Sequence, residues 1–484
     1  MFHLKTIQEQ FVKECIQSVD RLEELFTINQ ENEADIEINE SIVCLPDWKN
    51  IQPPILIPEA ITSKENLLGI LFAKLSNYEN AYPLLAENQA ILQAVDKLNR
   101  LQNGIAIDQL ESEINYFNLH NNAIIQHYGY VENAEYENLE ATYQEAINTA
   151  PNYNYKAFTT YHYAQWLLDF GQINKADEVL KGINQESLSP LSASQITYSL
   201  CQAQIKQLTA PYDENLLETA KANLWKCLQY FEEHNFKVEA AMVWNDAAHI
   251  AAISNSFAEA LGYSTKAIAI YEEEQLQHFK AQAQLTQANL LLMWAQNGSP
   301  QFYKQAIDQY KNALAVYTRT DAPDVFANIH HQLGIIYAEI PEEIKKKSVW
   351  AAVSVSSFTE AMQYFTKADY PYEYASICHS QGNAFTKYPI AIHSDNYEKA
   401  LAWYNEALEI RTAQNYPLER VLTLCNYLEA SWFVGNKEAF DEDRYNDMLK
   451  VANEILSLTT DESIIEHTKA DIEKLHQIKK EAIA

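Results

Sequence analysis

Apolar residues recur at helical spacing at the start of the chain. In the first thirty residues they return every three or four positions, at Leu4, Ile7, Phe11, Cys15, Val19, Leu22 and Phe26. This period predicts an amphipathic helix over residues 2–29. Four prolines then fall between residues 41 and 59, too many for a helix to continue. Residues 1–60 are therefore predicted to be a helix followed by an acidic, proline-rich connector, which either lies over the first repeats or acts as a hinge.

From residue 61 onward the pattern becomes repetitive. A small residue in one predicted helix is followed, twelve positions later, by an alanine in the next helix: Gly69 by Ala81, Ala164 by Ala176, and Ala248 by Ala260. A repeat at a fixed offset is typical of proteins built from stacked helix pairs. Residues 61–300 are therefore predicted to be degenerate helical repeats.

The repeats are clearer over residues 301–455. Three segments share one second-helix pattern, namely Ala306-x3-Tyr310-x2-Ala313, Ala361-x3-Phe365-x2-Ala368 and Ala400-x3-Tyr404-x2-Ala407. The pairs Leu333-Gly334 and Gln381-Gly382 mark matching first helices. Similar loops follow and end in Pro323, Pro371 and Pro417, each of which is predicted to begin a new helical unit. Residues 456–484 are predicted to form a capping helix.

Close packing explains why small residues recur in this pattern. Glycine and alanine let two antiparallel helices approach, and aromatic side chains then fill the spaces between neighbouring pairs. A single pair cannot bury its apolar face, so the pairs must stack. The pattern predicts an all-α solenoid of antiparallel helix pairs, with structural repeat positions at Gly69, Ala81, Ala164, Ala176, Ala260, Ala306, Gly334, Ala361, Gly382 and Ala400.

These motifs resemble the tetratricopeptide repeat (TPR) family over residues 62–455. The tyrosine-rich second helices, the x-Y-P loops and the segment Q-G-N-A-F at 381–385 are similar to bacterial TPR arrays found beside caspase-like CHAT protease domains or in signalling proteins. The resemblance implies a right-handed superhelix that acts as a scaffold or adaptor, and it leaves the partner open.

In TPR proteins the fifth and ninth positions of each first helix line the concave groove. Carried onto this sequence, the resemblance implies a groove of uncharged polar and aromatic side chains, which argues against a clamp for a terminal carboxylate. Such side chains are able to hydrogen-bond a partner segment, or they serve only to solvate the inner face. The implied groove residues are Tyr161, Gln165, Asn245, His249, Asn289, His331, His379 and Asn383.

Composition narrows the classes of function. Glycine is scarce, at 10 of 484 residues, which disfavours folds that use glycine in turns and phosphate loops. The net charge of −31 argues against nucleic acid and anionic membranes as partners. The six cysteines form no C-x-x-C pair, so free thiols in a reducing cytoplasm are expected.

The sequence contains none of the common catalytic or nucleotide-binding motifs, so no enzyme activity and no cofactor are predicted. His330, His331 and His379 lack Cys or carboxylate neighbours at ligand spacing, so no metal site is predicted either. The favoured function is a cytoplasmic scaffold that binds a partner protein or peptide and is able to form a homo-oligomer. The alternatives are a regulator that senses a peptide or small molecule, and a non-catalytic regulatory subunit of a bacterial signalling or defence complex.

Overall fold

The computed structural model is built almost entirely from α-helices. It describes residues 41–43, 56–58, 66, 69, 72–73, 77–103, 105, 116–127, 136–209, 212–390, 395–435 and 440–483. These ranges hold nineteen α-helices and one pair of short strands. The helix predicted over residues 2–29 lies outside the described residues.

The chain divides into two compact units. The first comprises Met1–Ile250 and Glu273–Leu276, and the second comprises Ala251–Glu272 and Gln277–Ala484. The helices of the first unit are α1 (Tyr78–Leu85), α2 (Gln89–Gln102), α3 (Tyr116–His127), α4 (Tyr136–Thr149), α5 (Tyr153–Asp169), α6 (Ile173–Lys181), α7 (Pro190–Gln207), α8 (Glu214–Glu233) and α9 (Lys237–Ile253), whose last turn belongs to the second unit.

The second unit continues with ten helices. They are α10 (Phe257–Glu273), α11 (Gln277–Gln296), α12 (Tyr303–Leu314), α13 (Pro323–Glu339), α14 (Ile344–Tyr364), α15 (Pro371–Lys387), α16 (Asn396–Ile410), α17 (Pro417–Ser431), α18 (Glu442–Leu458) and α19 (Glu462–Ile483). Consecutive helices pack in pairs, such as α11 with α12, α13 with α14 and α15 with α16. The predicted all-α solenoid of antiparallel helix pairs is confirmed within each unit.

The proline-rich connector contains the two strands. β1 (Ser41–Val43) and β2 (Leu56–Pro58) pair antiparallel, with Ile42 opposite Ile57. β2 lies against α2 and α3. This part of the connector is therefore extended and lies over helices of the first unit.

In the second unit, a ring from the second helix of a pair lies against a glycine of the first helix. A Cβ atom at Gly334 would come within 2.8 Å of the Phe358 ring, and one at Gly382 would collide with the ring of Tyr404. Both rings are fully buried. These glycines therefore set how closely α13 approaches α14 and how closely α15 approaches α16.

The loops that join successive pairs repeat the same hydrogen bonds. After α12, α14 and α16, the backbone N–H groups of Tyr317, Phe365 and Arg411 donate to the carbonyls of Ala313, Ala361 and Ala407. The next residue of each loop is a threonine. Its backbone carbonyl accepts from the backbone N–H four residues later, as Thr366 accepts from Tyr370. A proline then begins the next first helix.

These loops correct the predicted alignment of the second-helix patterns. Helix α14 ends at Tyr364, so the predicted segment from Ala361 to Ala368 runs past the helix end, and Ala368 is exposed. Ala361 is the equivalent of Ala313 and Ala407, and Phe358 is the equivalent of Tyr404. The predicted alignment was therefore displaced by two helical turns. The pattern Ala-x3-aromatic-x2-Ala also occurs by chance where the end of α14 passes into the loop.

Alanine at the other predicted repeat positions lies inside the helix contacts. Ala81, Ala164, Ala176, Ala260, Ala306, Ala361 and Ala400 have no exposed surface, and Gly69 is buried with its Cα next to the side chain of Leu85. Two partly buried tryptophans stack on neighbouring aromatic rings. Trp294 stacks on Phe302 at 4.0 Å between ring centroids, and Trp350 stacks on Tyr337 at 5.1 Å.

Replacing Gly382 by Ala tests the close approach of α15 and α16. The added methyl group would displace the Tyr404 ring, so we expect the free energy of unfolding to fall by about 1–3 kcal/mol. Thermal or urea unfolding followed by circular dichroism measures the change.

Gly262 provides the matched control for this substitution. It lies on the exposed face of α10, and no described atom would lie within 4 Å of an added Cβ. Gly262→Ala should therefore leave stability unchanged or raise it by up to about 1 kcal/mol through helix propensity. Equal effects of the two substitutions would contradict the packing described for Gly382.

Candidate functional site

The eight groove residues implied by the sequence resemblance fall into both units. Tyr161 and Gln165 lie on α5, and Asn245 and His249 lie on α9, all within the first unit. In the second unit, Asn289 lies on α11, His331 on α13, and His379 and Asn383 on α15.

In the first unit, the side chain of Gln165 connects two neighbouring first helices. Its Nε2 donates to Ser199 Oγ at 2.8 Å and to Gln202 Oε1 at 3.0 Å on α7. Tyr161, one turn earlier, packs edge-on against His162 at 4.9 Å between ring centroids. On α9, His249 is exposed, whereas Asn245 Oδ1 is buried and has no hydrogen-bond partner among the described residues.

In the second unit, three successive first helices are joined by polar side chains. His331 on α13 shares a hydrogen bond with Ser380 on α15, at 2.9 Å between Nε2 and Oγ. His379 on α15 shares one with Thr423 on α17, at 3.1 Å between Nδ1 and Oγ1. We call this set the first-helix row; its members are His331, His379, Ser380, Asn383, Thr423 and Asn426.

Asn383 lies at the centre of the first-helix row. Its Oδ1 accepts from the Tyr404 hydroxyl at 2.7 Å and from Asn426 Nδ2 at 2.8 Å. Its Nδ2 is 3.2 Å from Nε2 of His379. Asn289 makes the equivalent bond to Tyr310 in an earlier pair but does not join the row. The structure thus brings together three of the eight implied groove residues, His331, His379 and Asn383.

The hydrogen bonds also define the tautomer of His379. The Thr423 hydroxyl donates its proton to the Glu419 carbonyl at 2.7 Å, so it must accept from Nδ1 of His379. Nε2 is then free to accept from Asn383. Each group therefore uses its hydrogen-bonding capacity in a consistent direction.

The two histidines of the row are neutral at pH 7. Burial and, to a smaller extent, the positive charge of Arg411 lower the pKa of both His331 and His379 to about 4. The first-helix row is therefore uncharged and presents amide, imidazole and hydroxyl groups.

Arg411 is the important residue that sequence reasoning missed. It follows α16, and only 6% of its surface is exposed. Its Nη1 donates to Thr423 Oγ1 at 2.8 Å and its Nη2 to Ser376 Oγ at 3.1 Å, so it lies between α15 and α17 beside the row. Attention to the first helices alone could not find it, since it lies in the loop that follows a second helix.

The described residues place limits on other kinds of site. They contain no group of three or more His, Cys, Asp or Glu side chains arranged to hold a metal ion. In the same part of the chain, no helix combines the length and the apolar character that crossing a bilayer requires.

No protein-family model and no curated protein matches the chain. Among solved structures, the chain is similar to the apo form of RapI, with a TM-score of 0.45 and 15% identity over 76% of this chain and 97% of that chain. It is also similar to the APC/C hetero-tetramer Cut9–Hcn1, with a TM-score of 0.38 and 12% identity over 86% of this chain and 84% of that chain. Similarity to the P58(IPK) TPR domain has a TM-score of 0.24 and 14% identity, over 86% of this chain and 98% of that chain. Because the scores are low, the fold assignment stands on the helix pairs of the chain itself.

The neutral histidines predict a loss of stability in acid. A folded pKa near 4 lies below the ordinary value of 6.5, so the unfolded chain binds more protons between these limits. Stability is therefore expected to fall as the pH drops from 6.5 to 4, by at most about 2 kcal/mol per histidine at pH 5.

The double variant His331→Asn, His379→Asn should flatten this dependence in urea unfolding at pH 7 and pH 5. His467→Asn, at an exposed histidine of α19, is the control and should keep the wild-type profile. A double variant as acid-sensitive as the wild type would show that these two side chains are not held neutral by the fold.

Proposed function

We propose that the protein is a scaffold or adaptor that binds a segment of a partner protein along the first-helix row of the second unit. The observation that supports this proposal most directly is the continuity of the row. Neutral polar side chains run from α13 across α15 to α17, and hydrogen bonds hold them in place. Residues 301–455 would then form the binding part of the chain.

The chemistry of the row suits a peptide backbone. Amide and hydroxyl groups both donate and accept hydrogen bonds, as do the N–H and C=O groups of an extended or helical segment. Leu418 and Leu422 lie on α17, which also carries Thr423 and Asn426 of the row, and they are exposed by 61% and 47%. A partner segment would therefore find both hydrogen-bonding groups and apolar contact area on this surface.

The same chemistry is poorly suited to acid–base catalysis. A general base works best when its pKa lies near the working pH, and both histidines of the row have a pKa of about 4. The thiols of Cys227 and Cys378 are similarly unreactive, because burial raises the pKa of each to about 12. These properties favour binding over catalysis and are compatible with a reducing cytoplasm.

The kind of partner follows from the sequence resemblance alone. TPR arrays similar to this chain occur beside CHAT domains and in signalling proteins, so a bacterial signalling or defence complex is the setting that we propose. An association of two copies of the chain is compatible with this role.

Site-specific photo-crosslinking tests the proposed surface. A benzoyl-phenylalanine side chain is introduced at Leu422, beside the row, and in a separate variant at Ala402, which is exposed on the second helix α16. In cells that express the protein, we expect a defined protein adduct from position 422 and none from position 402. Adding Asn426→Ala to the Leu422 variant should reduce the adduct several-fold, because an amide of the row is lost.

Two results would contradict the proposal. An adduct that forms equally from Ala402 would move the interface to the second helices. A crosslinker at Leu422 that captures no protein, in cells where the chain is folded, would argue against a scaffold that uses this surface.

A further inference from the structure

Arg411 occupies a position that holds an aromatic side chain in the two preceding repeats. The repeated loop hydrogen bonds place Tyr317, Phe365 and Arg411 at equivalent points, each with its N–H bonded to the residue four positions earlier. The side-chain contacts are also equivalent, because Tyr317 reaches Gln282 on α11 as Arg411 reaches Ser376 on α15. Arg411 therefore occupies a position where apolar packing alone would favour an aromatic side chain.

The guanidinium of Arg411 is buried without a carboxylate partner. No described Asp or Glu side chain forms an ion pair with it, and its Nε has no described hydrogen-bond partner. Neighbouring cations are paired: Arg420 with Glu454 at 2.6 Å, and Lys367 with Glu409 at 2.7 Å. A buried cation without a hydrogen-bonded anion is costly. Burial lowers the pKa of Arg411, and the charge of nearby Glu419 offsets this lowering only in part.

Arg411 is not needed to satisfy the groups that it contacts. Thr423 Oγ1 already donates to the Glu419 carbonyl at 2.7 Å, and Ser376 Oγ donates to the Tyr372 carbonyl at 3.0 Å. Both hydroxyls would therefore remain hydrogen-bonded if the guanidinium were removed. These contacts hold Arg411 in place, but they do not explain why this position carries a cation.

Exposed apolar side chains lie on the two helices that Arg411 contacts. Tyr372 on α15 and Leu418 and Leu422 on α17 are exposed by 41%, 61% and 47%. Glu419 is the carboxylate beside them, and its Oε1 accepts from the Tyr372 hydroxyl at 3.4 Å instead of pairing with Arg411.

We propose that Arg411 binds a carboxylate of the partner segment, next to an apolar side chain of that segment that covers Tyr372, Leu418 and Leu422. This inference rests on the proposed function and specifies the chemistry of the partner. The carboxylate would belong to an Asp or Glu side chain or to a chain terminus.

Ser376 gives the carboxylate a route to the guanidinium. This residue is partly exposed on α15, and its hydroxyl is bonded to Nη2 of Arg411. An incoming carboxylate would replace the hydroxyl at Nη2 and would supply a second oxygen to Nε. Such a pair of parallel bonds is the arrangement that arginine forms most readily with carboxylates.

An array of short synthetic peptides tests the inference, with each sequence printed once with a free and once with an amidated C-terminus. The full-length wild-type protein is expected to select peptides that contain an acidic group near an apolar residue. Changing that Asp or Glu to Asn or Gln should weaken binding at least about tenfold, as for a lost hydrogen bond between charged groups. If amidation alone removes binding, the carboxylate is terminal; if it does not, the carboxylate is a side chain.

Variants at Arg411 complete the test. Arg411→Gln should lose the preference for acidic peptides, whereas Arg411→Lys should retain part of it. Circular dichroism should show that Arg411→Gln has an unchanged or higher melting temperature, whereas a purely structural residue would lower it on removal.

Each remaining outcome is decisive. Peptide binding without a preference for acids, or equal binding by the wild type and Arg411→Gln, would overturn the anion site and leave the proposed function intact. Absence of binding to any peptide would count against the proposed function itself, and the inference would fall with it. The comparison of acid and amide peptides uses only the wild type, so it holds even if a variant fails to fold.

Discussion

The contact between a glycine on a first helix and an aromatic ring on its partner helix determines much of the second unit. At Gly382, the missing side chain allows the Tyr404 ring to lie against the backbone of α15. The hydroxyl of the same ring then reaches Asn383 at 2.7 Å. One side chain therefore fills the space between two helices and also orients an amide of the first-helix row. Packing and the polar surface are coupled, because a shift of the ring would move both.

The polar row extends this coupling from one helix pair to the next. His379 joins α15 to α17 through Thr423, and His331 joins α13 to α15 through Ser380. Partly buried polar groups are tolerated when each finds a partner, and here the neutral histidines, amides and hydroxyls hydrogen-bond to one another. The same groups fix the relative placement of neighbouring first helices. For the binding proposed above, such a surface would already be arranged before a partner arrives, so less ordering would be needed.

Sequence periodicity was sufficient to predict the helix pairs, because small residues and loop prolines mark them directly. Gly382 leaves room for a ring of the partner helix and Pro371 begins a helix, so each role can be inferred from the residue type and its spacing. The register of α14 was predicted wrongly, since an alanine pattern cannot show where a helix ends. Arg411 was missed for a different reason: its significance depends on which residues surround it across α15 and α17. Aligning R-T-A-Q-N-Y-P with F-T-K-A-D-Y-P would have revealed an arginine at an aromatic position, but not its burial.

The burial of Arg411 within a chain of net charge −31 has a kinetic consequence for any acidic partner. At a distance, such a partner meets the field of the whole protein, which repels it, and low ionic strength makes this repulsion stronger. After contact, the guanidinium acts at short range, where dissolved salt has little access. Added salt would thus speed association while leaving dissociation nearly unchanged, which is the reverse of the usual behaviour of complexes formed by electrostatic steering.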